Sequence, residues 1–275
     1  MEQNIPFIVD HFGIGTPDLM GATYFLQNLG FFTGSTRSGR PDELTHFVFD
    51  NCYLECAQIS KDELLPSPTR VEVKGGPGVY AFIMNTLQPK EVHAAVEKAG
   101  FSTSEISWGF GRDADHGEKK GWAIFNAFFL NPAEPLTSMF VGIVNHGVKE
   151  LIYQKERYVH ENGVNKISSF VLYFDTPEKL LAAKNTMGKL EDTVQGFADP
   201  MHLNRLRFVD KNAYESEFGV PVPTIKSIVA AVTFKDGDLD FLHRKAEAMK
   251  LPNFDKGGKL YIDARKDTGV FLIFE

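Results

Sequence analysis

The chain has 275 residues, 43% of them hydrophobic and 24% charged, with a formal net charge of −7 and a sequence pI near 5.7. These are ordinary values for a globular protein and exclude disordered and fibrous classes. The acidic balance holds no reservoir of Lys and Arg for phosphate backbones, so no nucleic-acid partner is expected.

No run approaches the roughly 18 apolar residues of a membrane span, and Met1 to Asp10 lacks the basic and apolar regions of a secretory signal. A cytoplasmic protein with no membrane partner is the expectation. Phenylalanine is abundant, 24 residues against 2 Trp and 8 Tyr, which suits sheet faces and apolar cavities. Cys52 and Cys56 sit in one strand-like segment. Their Cα atoms would lie about 13 Å apart at 3.3 Å per residue, beyond the roughly 7 Å that a disulfide spans.

In chain order, Phe7 to Gly15 alternates like a half-buried strand and stops at Thr16-Pro17-Asp18. Leu19 to Leu29 carries apolar residues at helical spacing and closes on Gly30. Three short strand signals follow, at Phe31-Phe32-Thr33, Leu44 to Phe49 and Cys52 to Ala57, so the first unit reads βαβββ. The order recurs three times. Strand Val79–Met84, helix Pro89–Lys98 and strands near Trp122–Leu130 and Ser138–Val144 make the second unit. Ile167–Phe174, a helix from Glu178 to Met187 and Leu203–Val209 make the third; Ile225–Phe234, helix Leu239–Met249, Lys259–Ala264 and Val270–Glu275 make the fourth. Such thin strand sets cannot bury a face alone, so the units must pack on one another. The charged stretch Gly147 to Lys166 reads as a linker, giving an N-terminal pair over 1–147 and a linker plus C-terminal pair over 148–275. The polar run Arg112 to Lys120 reads as a solvated loop or a flap.

The opening Val9-Asp10-His11-Phe12-Gly13-Ile14-Gly15-Thr16-Pro17-Asp18-Leu19, the closing Leu29-Gly30-Phe31 and the later Tyr53-Leu54-Glu55 resemble the first module of the vicinal oxygen chelate superfamily. The chain is most similar to its bacterial glyoxalase-like branch, with four βαβββ modules in one chain. The resemblance implies an α+β fold in which paired modules form two cupped mixed sheets. In metal-dependent members a His on a module's first strand and a Glu on its last bind a divalent cation, and these positions are His11 and Glu55 here.

The residues support that reading in part. His11 shares a strand face with Gly13, which leaves space, whereas Glu55 between Leu54 and Cys56 would cost several kcal/mol if buried without a partner. A divalent metal (Zn, Ni, Mn, Fe or Mg) on this pair would act as a Lewis acid toward an enolate-like charge. The ligand set is incomplete. Ala81 or Tyr80 stands where module two would supply a second His, and Ser169 and Ser227 stand in modules three and four. His46 and His146 are the candidates to complete it, and a metal-free alternative uses His11 or Glu55 as a general base. Tyr80 and Arg112 are candidate substrate contacts, Arg112 as an anion clamp. His93 and His243 read as solvated, and His160 and His202 as loop residues.

The expected activity is that of a glyoxalase-like lyase or isomerase acting on a small oxygenated, aromatic or otherwise hydrophobic substrate in the N-terminal cup, with the C-terminal pair structural. The alternative is a non-catalytic, sequestering protein on the same fold. Sheet edges in such architectures often pair, which leaves a homodimer open.

Overall fold

Alternating apolar positions and well-capped helices build two seven-stranded sheets in the computed structural model, which describes residues 4–33, 44–58, 76–113, 122–131, 136, 139–222 and 228–275. The strands are β1 (Asn4–Ile8), β2 (His11–Thr16), β3 (Leu44–Val48), β4 (Tyr53–Gln58), β5 (Gly78–Asn85), β6 (Ser107–Asp113), β7 (Trp122–Phe129), β8 (Phe140–His146), β9 (Lys166–Tyr173), β10 (Leu203–Val209), β11 (Val229–Lys235), β12 (Asn253–Lys256), β13 (Lys259–Asp263) and β14 (Phe271–Phe274). The helices are α1 (Leu19–Asn28), α2 (Pro89–Lys98), α3 (Pro177–Val194), α4 (Lys211–Phe218), α5 (Leu239–Ala248) and α6 (Arg265–Thr268). Asp18, Thr176, Asp210 and Asp238 cap helix N-termini with side-chain oxygens, which fixes where strands give way to helices.

The first sheet runs β3-β4-β2-β5-β8-β7-β6 and the second β1-β10-β9-β11-β14-β13-β12. In each, two modules meet at an antiparallel seam, β2 on β5 and β9 on β11, while each module's last strand (β4, β8, β10 and β14) runs parallel to its first. These are the two curled mixed sheets that the resemblance implies.

Three details depart from the reading of the sequence. Phe31-Phe32-Thr33 forms no strand; Phe31 is buried as a ring contact to Phe47, Phe49 and Phe234 instead. The third module has one strand after its helix, and β1 from the N-terminus pairs antiparallel with β10 beside it, Asn4 opposite Arg207 through Ile8 opposite Leu203. Finally, 147–166 is no solvated linker. It holds two short 3-10 turns and buries Leu151, Ile152, Gln154, Arg157, His160 and Asn162, while Lys155, Glu156 and Glu161 stay exposed.

Strand alternation gives each sheet one face toward the common core and one toward a cup. Phe12 on β2 and Phe82 on β5 meet Phe170 on β9 at centroid distances of 5.0 and 4.7 Å, so the core-side faces of both sheets share one apolar cluster. The two cups therefore open away from each other.

Candidate functional site

The N-terminal cup is a cavity of about 210 Å³ lined by His11, Glu55, His146, Tyr53 and Tyr80, against walls that include Ile83, Phe125, Phe129, Phe140 and Ile152. Alternation divides the phenylalanines as the sequence suggests: Phe125 and Phe129 reach the cup, whereas Phe47, Phe49, Phe82 and Phe128 are fully buried in the core. Phe140 joins the cup set, and Ile152 comes from the segment expected to be a linker.

At one wall lies a polar cluster organised by Asp10. His11 Nδ1 donates to Asp10 Oδ1 at 2.8 Å and His146 Nε2 donates to the same oxygen at 2.9 Å. Asn85 Nδ2 donates to Oδ2 at 3.2 Å, and His202 Nε2 stands 3.7 Å from Oδ2. Burial pushes the Asp10 carboxyl up, but the three histidines outweigh it and hold the group well below the usual carboxylate range. For His11, burial prevails over the Asp10 hydrogen bond and lowers its pKa, so the neutral ring is favoured. With Nδ1 directed at Asp10, Nε2 is the nitrogen left for the cavity that His11 lines. The ring stacks on Tyr53, centroids 4.3 Å apart and planes 14° from parallel.

Glu55 stands opposite Gly13 across the parallel β2–β4 ladder and opposite His46 on β3. His46 Nε2 donates to Glu55 Oε2 at 3.0 Å, so His46 orients Glu55 on its own strand pair. The structure thus brings His11 and His146 together around Asp10 and sets the Glu55–His46 pair on the same cup. Tyr80 reaches the cup over Gly13, where an added methyl group would lie 3.0 Å from its ring. Arg112 is in β6, but its side chain falls outside the described residues, as does 114–121.

Module symmetry explains why, among the described residues, the later modules do not repeat the His11 and Glu55 pair. Counting back from the helix caps Asp18, Gln88, Thr176 and Asp238, the position of His11 is taken by Ala81, Ser169 and Ala231 in the later modules. Ser227 is therefore not the fourth-module equivalent; it lies outside the described residues and Ala231 holds the place. Strand register likewise maps Glu55 onto Gly142, Arg207 and Ile273. At Gly142 a Cβ would approach Phe129 to 2.7 Å and Ile83 to 2.9 Å, so the aromatic packing of the cup excludes a carboxylate there.

Asp10, His11 and His146 each offer a ligand atom within 4.8 Å of the others, and two imidazoles with a carboxylate suit a borderline divalent ion. The sequence points to His11 and His146 but not to Asp10, Asn85 or Tyr153, and suggests only a loop position for His202; the Tyr153 hydroxyl donates to the Asp10 carbonyl at 2.9 Å. Asp10 was legible in principle, as a carboxylate at the mouth of an apolar strand. The other three come from distant segments. Among the remaining histidines, His160 is a buried strut between the Phe32 amide and the Val48 carbonyl, and His93 is half-buried against Thr103 and Ser104.

Residues 9–187 match the model of a family described as "Glyoxalase-like domain". No curated protein matches the chain in sequence. Among solved structures, the chain is similar to the Mn(II)-bound glyoxalase from Novosphingobium aromaticivorans, with a TM-score of 0.53 and 13% identity over 99% of this chain and 82% of that one. It is also similar to a catechol 2,3-dioxygenase (TM-score 0.56, 12% identity, 98% of this chain and 92% of that one). A hypothetical protein from Staphylococcus aureus gives a TM-score of 0.59 at 10% identity, over 98% of this chain and 99% of that one. At these identities the similarity concerns the fold.

Proposed function

Because the chain belongs to the glyoxalase-like domain family of the vicinal oxygen chelate superfamily, we propose that it is an enzyme whose N-terminal cup carries out a lyase or isomerase step through an enolate on a small oxygenated substrate with an aromatic or otherwise hydrophobic body. The observation that carries this reading is the cluster of buried Asp10 with half-buried His11 and His146, ligand atoms within 4.8 Å of one another, at the wall of a largely apolar cavity. These three would hold a divalent ion, which when bound supplies Lewis-acid polarisation of a substrate oxygen. The chain's own groups supply the rest. Glu55, held by His46 Nε2, takes the proton from carbon and returns it. Phe125, Phe129 and Phe140 seat the hydrophobic body and exclude water, which strengthens each charge interaction inside. Tyr80, which lines the cup, meets a second oxygen of the substrate.

Metal content and proton exchange test this directly. Purified protein carries a stoichiometric divalent ion that falls to background in His11→Ala and is held more weakly in Asp10→Asn. Glu55→Gln keeps the ion but loses about 10²-fold or more in the rate of α-proton exchange of an aryl 2-oxo acid in deuterated water, followed by NMR. Full metal in His11→Ala, or unaltered exchange in Glu55→Gln, overturns the assignment. Ala81 and Gly142, which leave module two without counterparts of His11 and Glu55, favour the rival reading of a sequestering protein. That reading requires tight substrate binding with no exchange in the parent protein.

A further inference from the structure

The C-terminal cup has the same architecture and the opposite chemistry. Where the first cup presents His11 and Glu55, the matched positions in the third module are Ser169 and Arg207. The first cup's lining contains no Lys or Arg among the described residues. The second, a cavity of about 1370 Å³, is lined by seven cations and three carboxylates in a chain whose overall charge is −7.

The internal pairings show which cations are committed. Arg207 makes two hydrogen bonds to Glu217, at 3.0 and 2.8 Å, and Lys259 pairs with Glu275, which Lys235 also approaches to 4.0 Å. Lys166 pairs with Asp50, and Asp210 caps α4 through the Ala213 amide. Arg205 stays exposed on the β10 face, and Lys256 donates only to the carbonyls of Ser216 and Glu217. Neither has a carboxylate partner among the described residues. A concave surface focuses the field of such charges and concentrates counter-ions within it.

The apolar end of this cup is already filled. Helix α4 lays Tyr214 and Phe218 against Val171, Ala231, Phe271 and Ile273, leaving the part lined by Arg205, Arg207, Lys256, Lys259 and Ser169. What remains is polar and cationic, which disfavours a hydrophobic ligand. A long polyanion such as nucleic acid would meet the net negative surface beyond the rim.

We propose that the C-terminal cup is a second binding site, for a small organic polyanion with two or more phosphate or carboxylate groups, gathered by Arg205 and Lys256 over the paired Arg207 and Lys259. Guanidinium and ammonium groups around one concavity are the donors that such anions take. The site is independent of the His11 cluster, which faces the other way.

Calorimetric titration of the full chain with pyrophosphate and, separately, citrate tests it and distinguishes phosphate from carboxylate preference. Saturable binding of at least one probe is expected. It weakens at least tenfold in Arg205→Glu/Lys256→Glu and is retained in Lys90→Glu/Lys98→Glu, a pair on α2 that changes net charge equally. The neutral pair Arg205→Gln/Lys256→Gln replaces the reversal variant if the latter melts early. No saturation by either probe in the parent protein overturns the proposal. So does equal weakening in the two charge-reversal variants, which marks a general charge effect.

Discussion

Asp10 shows how much of a site one residue can organise. Its carboxylate is fully buried, yet it fixes the ring nitrogen that His11 presents and the one that His146 presents, because both donate to the same oxygen. Asp10→Asn replaces that acceptor with an amide of equal size. Metal affinity is expected to fall about 10- to 100-fold, while the backbone bonds from Tyr53 and to Ile83 keep the strand in place. Isothermal titration with zinc and a melting curve measure both, and undiminished affinity would remove Asp10 from the ligand set. Gly13 makes a second case. The absence of a side chain there leaves room for the Tyr80 ring, whose outer atoms are the ones a methyl group would strike. Gly13→Ala should therefore displace Tyr80 and raise KM several-fold with little change in kcat; a fall in kcat alone would place Tyr80 in the chemistry rather than in binding.

At the scale of elements, β1 and α3 hold the second sheet together in a pH-dependent way. Glu191 on α3 accepts the Ile8 amide of β1 at 2.9 Å, and burial, set against that hydrogen bond, raises its pKa from 4.5 to about 7. The native state then binds more protons than the unfolded chain between these values, so this group lowers stability as pH rises from 4.5 to 7. His160 acts in the opposite sense. Burial, against the Val48 carbonyl, lowers its pKa from 6.5 to about 4, the unfolded chain binds more protons, and stability rises with pH from 4 to 6.5. The two trends offset each other in mildly acid solution and leave a decline toward pH 7. Glu191→Gln removes that decline, gaining about 3 kcal/mol at pH 8 relative to the parent and little at pH 4.5, read from urea midpoints. Equal midpoint differences at both pH values would show that Glu191 does not titrate in this window.

Across the whole molecule, the two module pairs share their core. Phe170 of the second sheet sits against Phe12 and Phe82 of the first, β1 crosses from one half to the other, and Asn51 exchanges hydrogen bonds with Ile167, accepting its amide at 3.0 Å and donating to its carbonyl at 2.8 Å. One cooperative unfolding transition is expected. Trp108 and Trp122 both lie before residue 148, so fluorescence reports the first half while far-ultraviolet circular dichroism reports all of it. Coincident urea curves are predicted, and separated midpoints would mean that the halves are energetically independent.

The sequence by itself determined the modules, because a switch from alternating to helical periodicity at a capping residue is a local signal, and helices begin at Leu19, Pro89 and Leu239 where those signals stand. It also directed attention to the first module as the place for a site, since His11 and Glu55 are polar residues inside apolar strands. Only the tertiary structure decided what those residues meet. Asp10 gains His146 and His202 from positions 136 and 192 residues away, His46 turns to Glu55, and Gly142 is shielded by Phe129, none of which a periodicity can express. The charged stretch 147–166 misled for the same reason: composition records its Lys and Glu, whereas burial depends on where Ile152 and Tyr153 land once the sheets have packed. Local order is set by neighbours in the chain, and the site by register between strands far apart in it.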